Sequence, residues 1–225
     1  MPDQTPQPEF FEYGEREMVY LSRKDKRLAA VIAQLGHLER PVDSDLFSGV
    51  VRHIIGQQVS GAAQRSIWQR ALDRYGAITP DIIATTSEEE LQSLGISFRK
   101  AAYIREFAAK VHDGSFDLDA VAHMSDQEAI DALVSLKGIG VWTAEMLLLF
   151  NLQRPDILSF GDLGIQRGMR MLYRHRSIDR ERFERYRRRY SPYGSVASLY
   201  LWAIAGGAIP ELSDPATKKR GQPPP

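Results

Sequence analysis

Residues 136–150 read LKGIGVWTAEMLLLF, and that stretch decides the fold. A helical pattern closes at Leu136, Gly138-Ile139-Gly140 turns the chain tightly, and a second, apolar helix opens at Val141. Glycine adopts backbone conformations closed to other residues and lets the chain approach a ligand closely. Ile139, between the glycines, is expected to plug into the apolar space between the two helices. A turn of this kind leaves unpaired N–H groups at a helix N-terminus, where a phosphate is stabilised. This is the pattern of a helix–hairpin–helix, spanning about 125–150 here, which grips nucleic-acid backbone without reading bases. For so short a motif a plain glycine-rich helix connection stays open as the alternative.

Outward from the hairpin the punctuation is helical. Phe47, Val50, Val51, Ile54 and Ile55 repeat at the spacing of one helix face. A helix runs from Ser60 to Tyr75 and stops at Gly76. Ser87 with Glu90, and Ser125 with Glu128, are capping-box pairs. Ile104, Phe107, Ala108 and Val111 form another face, followed by Gly114. Further helices are expected over Val141–Phe150, after Asp162, over Asp179–Tyr190 and over Val196–Ile204. Alternating strand patterns are missing, so the chain reads as all-α, with about ten helices. Residues 1–22 read as an N-terminal arm and 213–225 as a disordered tail.

Composition narrows the classes. The 225 residues suffice for a real core, and 43% are hydrophobic. With no cysteine, disulfides, thiolate zinc sites, cysteine nucleophiles and cysteine-ligated iron–sulfur clusters are excluded. The five histidines (His37, His53, His112, His123 and His175) show no i, i+4 pairing, which argues against a transition-metal site. The longest apolar stretch, Ser195 to Ile209, is too short for a membrane span, and no export signal opens the sequence. The expected location is the cytoplasm or nucleoid of a bacterium, or the nucleus of a eukaryote.

Asp162, in SFGDLGIQRG, precedes a new helix 22 residues beyond Gly140. An aspartate there is ordinarily an N-cap. Five segments, taken in order, give it a second meaning: IIGQQVSGAA (54–63), GISFRKAAYI (95–104), LKGIGVWTAEM (136–146), FGDLGIQRG (160–168) and SPYGSVASLYLW (191–202). Together they resemble the helix–hairpin–helix DNA glycosylases, and within them the AlkA-type 3-methyladenine DNA glycosylase II group. The likeness runs from about residue 45 to 205. The roughly 45 residues before it do not hold the N-terminal β-domain of AlkA, which implies a compact form.

The resemblance implies a monofunctional glycosylase that flips alkylated purines of the 3-methyladenine and 7-methylguanine type out of double-stranded DNA and hydrolyses the N-glycosidic bond. Asp162 falls at the catalytic aspartate, preceded here by Gly161 where many relatives have a second aspartate. Trp142 stands where bifunctional relatives carry a Schiff-base lysine, and Lys137, before the glycines, is poorly placed to replace it. Trp142 and Tyr193 match aromatic base-pocket positions, and Met146 replaces a pocket aromatic. Gln57 and Gln58 match the DNA wedge, with Gln58 at the inserted position, and His53 lies close enough to touch DNA. Gly138, Ile139, Gly140 and Thr143 match the backbone grip. A structural Na or K ion is implied at the carbonyls of Val134, Leu136 and Ile139, and no other cofactor. Trp202 follows the apolar period of its helix and reads as core.

The resemblance also implies two helical subdomains flanking a DNA-binding cleft. One is a six-helix barrel over 46–155, and the other joins 23–45 to 156–212, in a molecule acting as a monomer. The net charge of zero conceals an uneven field: residues 163–190 hold ten arginines and three acids, and residues 113–131 hold six acids and no base. A DNA-binding face needs only local positive charge. Two other readings remain: a non-enzymatic helix–hairpin–helix DNA-binding protein, and a glycosylase for an oxidised or deaminated base.

Overall fold

The computed structural model describes residues 9–217. Among them are thirteen α-helices, one 3-10 turn and no strand, only an isolated bridge between Phe10 and Pro41. No helix among the described residues is long and apolar enough to cross a membrane. The chain divides into two compact units. Asp43–Leu152 forms one, and the described residues on either side of it form the other.

The middle unit holds α3 (Leu46–Gly56), α4 (Gly61–Tyr75), α5 (Pro80–Thr85), α6 (Glu88–Gln92), α7 (Phe98–His112), α8 (Leu118–His123), α9 (Asp126–Val134) and α10 (Val141–Phe150). It begins and ends three residues before the expected 46–155, and it contains eight helices where six were expected. The surplus comes from two pieces of six residues, α5 and α8, capped by Thr79 and Asp117. One or two turns are too short to show a helical period. The core forms where α3 meets α7, with the rings of Phe47 and Phe107 stacked at 5.0 Å. At the unit's boundary Asn151 donates from Nδ2 to the carbonyls of Asp43 (2.6 Å) and Asp45 (3.1 Å). A Cβ on Gly49 would lie 2.3 Å from that amide.

The other unit holds α1 (Glu15–Lys24), α2 (Lys26–Leu35), α11 (Leu163–Tyr173), α12 (Arg180–Tyr190) and α13 (Gly194–Ala205). The expected N-terminal arm is therefore wrong over its second half. Residues 15–24 are helical, with acids in the first turn, bases in the last and Leu21 buried. The apolar residues of this helix, Met18 to Leu21, are consecutive, so no spaced repeat marks the helix in the sequence. Residues 1–8 of that arm lie outside the described residues.

The expected tail is corrected in the same way at its start. Asp214 is buried and accepts from Arg170 at 3.0 and 2.6 Å, with Arg167 4.0 Å away, and Pro215–Thr217 forms a 3-10 turn. A bidentate Arg–carboxylate pair of this kind is among the stronger surface contacts. The tail beyond Thr217 lies outside the described residues.

Two features fix α11 within this unit. A Cβ on Gly168 would meet the Leu201 carbonyl oxygen at 2.2 Å, so α11 and α13 pack backbone to backbone. At the other end Asp25 caps α2 through the N–H groups of Arg27 and Leu28 while accepting from Tyr173 Oη (2.7 Å) and Arg189 (2.5 Å). Burial pushes the Asp25 carboxyl up, and the bonds from Tyr173, Leu28 and Arg189 outweigh it and hold the pKa below the usual carboxylate value.

Candidate active site

In the middle unit the hairpin is built as the glycines require. Ser125 and Glu128 close the capping box of α9, and the Ile139 N–H returns to the Leu136 carbonyl at 3.1 Å. Gly138 holds φ +86°, and a Cβ there would lie 2.7 Å from the Tyr103 ring, so glycine is demanded twice. Gly140 offers α10 no side-chain cap, and open space lies where its Cβ would be. The first turn of α10 thus presents backbone donors to an anion. Ile139, Thr143 and Met146 are buried, whereas Val141 and Trp142 are 56% and 45% exposed. The Thr143 side chain is turned inward.

The turn after α3 is tied to the hairpin. Gln57 Nε2 donates to the Gly138 carbonyl at 2.6 Å. Lys100 Nζ donates to the carbonyls of Ile55 (2.8 Å) and Gln57 (2.6 Å), satisfying the open end of α3. Burial, with Arg99 nearby, lowers the Lys100 pKa. The two glutamines therefore differ. The side chain of Gln57 is engaged as a tether to the hairpin. Gln58, at φ +56°, is exposed.

Two residues before Lys100, Phe98 opens α7 at 55% exposure. Sequence reading passed over it, since it lies beside the apolar stripe of Ala101, Ile104 and Phe107 and a helical period files it as core. His53 bonds through Nδ1 to the Gly49 carbonyl at 2.9 Å. Burial chiefly, with Arg52 adding and that bond opposing, holds its pKa below the usual value.

In the other unit Asp162 caps α11 through Oδ1, which accepts from the Ile165 N–H at 2.8 Å and from Trp202 Nε1 at 2.9 Å. The carboxylate is 7% exposed, and Leu163 beside it is 80% exposed. A Cβ on Gly164 would lie 2.8 Å from Trp202 Cδ1, so that glycine admits the indole. The Arg40 guanidinium lies 5.9 Å from the centre of the Trp202 ring.

Trp202 is therefore no mere core residue. Tyr193 lies at the other end of α13. It sits at the N-cap of α13, edge-on to Tyr20 at 5.1 Å. At about 1.5 Å of rise per residue, it is roughly 13 Å along the helix from Trp202. It borders a groove of about 640 Å³ lined by Tyr20, Arg16 and Pro192 instead. The aromatic that meets the carboxylate is Trp202, two turns and more further on.

Residues 51–192 match the family model described as HhH-GPD superfamily base excision DNA repair protein. The chain belongs to that superfamily. Like other HhH-GPD proteins, it finds relatives among alkylation-repair enzymes. It is 34% identical to a DNA-3-methyladenine glycosidase from Bacillus halodurans of known structure, over 91% of this chain and 95% of that one, with a TM-score of 0.81. It is 29% identical to DNA-3-methyladenine glycosylase 1 of Schizosaccharomyces pombe over 82% of this chain and 84% of that protein. The S. pombe 3-methyladenine DNA glycosylase in complex with abasic DNA superposes with a TM-score of 0.69 at 26% identity, covering 84% of this chain and 95% of that one. The HhH-GPD match begins inside α3 and ends just short of Tyr193, so it takes in the Gln57-Gln58 turn, the hairpin and Asp162.

Proposed function

We propose that this HhH-GPD protein is a monofunctional DNA glycosylase that removes alkylated purines from double-stranded DNA, working as a monomer. The observation that carries the reading is Asp162, a nearly buried carboxylate held by two N–H donors beside an indole. The names of the relatives support the substrate class.

Alkylation at N3 or N7 leaves a purine positively charged, so the base departs as a neutral molecule without protonation by an acid. The C1′–N bond breaks with its electron pair leaving on the base. The sugar becomes an oxocarbenium-like cation, which a fixed carboxylate stabilises. Water then adds through oxygen to C1′ and gives up a proton, to Asp162 or to solvent. The exposed Trp142 ring offers an electron-rich face to a cationic base, worth about 0.5–2 kcal/mol. Exposed Gln58 and Phe98 fill the space vacated by the flipped nucleotide.

Gly138 and Gly140, with the N–H groups that follow, take a phosphate. The carbonyls of Val134, Leu136 and Ile139 would hold a monovalent cation, which would supply positive charge beside that phosphate. The Leu136 carbonyl accepts one N–H and keeps a second lone pair for it. With Trp142 where a Schiff-base lysine would stand, no covalent attachment to the sugar forms, and the product is an intact strand with an abasic site.

The test is an excision assay on duplexes each carrying one lesion. We expect release of 3-methyladenine and 7-methylguanine, with strand breaks only after alkali. Release of an oxidised or deaminated base instead would move the substrate class, breaks without alkali would overturn the monofunctional reading, and binding without any excision would leave a DNA-binding protein. A more local prediction concerns Trp202→Phe, which keeps an aromatic ring and removes the Nε1–H bond to Asp162. A hydrogen bond to a charged group contributes about 1.5–3 kcal/mol, so single-turnover excision should fall by about tenfold or more. Duplex affinity should stay at the wild-type level. An unchanged rate would remove Trp202 from the positioning of the carboxylate.

A further inference from the structure

The arginines of residues 163–190 are not equivalent once their partners are known. Asp214 takes Arg170 and Arg167. Glu184 takes Arg180 and Arg187 at 3.2 and 2.8 Å, Asp179 takes Arg182, and Asp25 takes Arg189. Four remain without an ion-pair partner among the described residues: Arg174, Arg176, Arg185 and Arg188, all exposed. Helix α12 buries Phe183, Tyr186 and Tyr190, and at 3.6 residues per turn Arg185 and Arg188 lie on the opposite, outward face. Glu181, the acid of that face, stands in the first turn, where it complements the helix dipole.

The loop before α12 joins this face. His175 Nε2 and Tyr186 Oη are 2.8 Å apart, which fixes the 174–176 segment against the helix. Arg174 holds φ +57° as the C-cap of α11, a left-handed position where glycine is the usual residue. Around His175 stand Arg182, Arg27 and Arg185, with Asp179 the opposing acid. Burial first, and those three guanidiniums after it, lower the imidazole pKa. The cluster is a concentration of positive charge that its own acids do not balance.

We propose that the outward face of α12 and the 174–176 loop form a second phosphate-binding surface for duplex DNA, on the other unit from the hairpin. It rests on the glycosylase reading only in naming DNA as the polyanion. Guanidinium forks suit phosphate oxygens, and side chains at i and i+3 lie about 5–6 Å apart on a helix, so Arg185 and Arg188 engage one stretch of backbone. Their contribution is independent of base sequence.

The experiment compares Arg185→Gln with Arg188→Gln, as a double variant of the full chain, against the charge-matched double variant Arg16→Gln with Arg23→Gln on α1. Affinity for an undamaged duplex is read by anisotropy between about 50 and 200 mM salt. We expect the α12 variant to bind at least about tenfold more weakly, with the slope of log K against log salt reduced by about two. The control should keep the wild-type slope. Wild-type affinity and slope in the α12 variant overturn the surface, and so does an equal loss in both doubles. A wild-type chain that binds the duplex and releases no base overturns the glycosylase reading instead, and the salt slopes still decide this surface.

Discussion

Asp162→Asn should abolish nearly all excision of 3-methyladenine while leaving the fold and duplex binding intact. On the proposed reading the carboxylate has two functions, and the substitution separates them. As a cap it accepts from the Ile165 N–H, and asparagine caps a helix about as well as aspartate. Its amide oxygen can also keep the Trp202 bond. What disappears is the negative charge facing the oxocarbenium-like sugar. Losing one preorganised electrostatic group in a site of this kind costs roughly 10²–10³ in rate, and a proton acceptor for the attacking water is lost as well. Single-turnover release, beside a urea melt and a binding titration, checks all three parts. Wild-type release would show that Asp162 is a cap and nothing more.

The second large effect falls on stability. Gly168→Ala places a methyl group 2.2 Å from the Leu201 carbonyl oxygen and 2.8 Å from its carbon. Both are backbone atoms, so no side chain can rotate away. Relief requires α11 to move off α13, at a cost of roughly 2–3 kcal/mol of overpacking. Those two helices carry Asp162 and Trp202, so the same shift should lengthen the bond between them and slow excision beyond what lost stability explains. A urea midpoint within error of wild type would refute the close packing. Gly61→Ala is the control: it too is a helical glycine, in α4, and a Cβ there meets only the end of the Arg65 side chain, at 3.5 Å.

The sequence disclosed most where a local rule had a single solution. The capping boxes at Ser87 and Ser125 form as paired, and the glycines of the hairpin stand where the turn and the Tyr103 ring require them. It was silent or misleading where the signal lacked direction. Helices α10 and α13 are apolar on every side. The period of such a helix points nowhere, so nothing marked Trp202 as the residue turned toward Asp162, Thr143 as buried or Trp142 as exposed. Phe98 lies on the edge of a real apolar stripe and looks like core. The tether of Gln57 to Gly138 joins residues 81 apart, a distance no local pattern spans. The cap at Asp162 was legible as a cap, while its charge gained a meaning only from the segments around it.

That tether has a mechanical consequence. The Gln57 amide binds the carbonyl of the glycine on which the hairpin turns, and Lys100 braces the same turn from the side that bears Phe98. The turn after α3 and the hairpin are thus bolted to each other within one unit. On the proposed reading they would act as a caliper of fixed span: a phosphate seated on the hairpin would already set the depth to which Gln58 reaches.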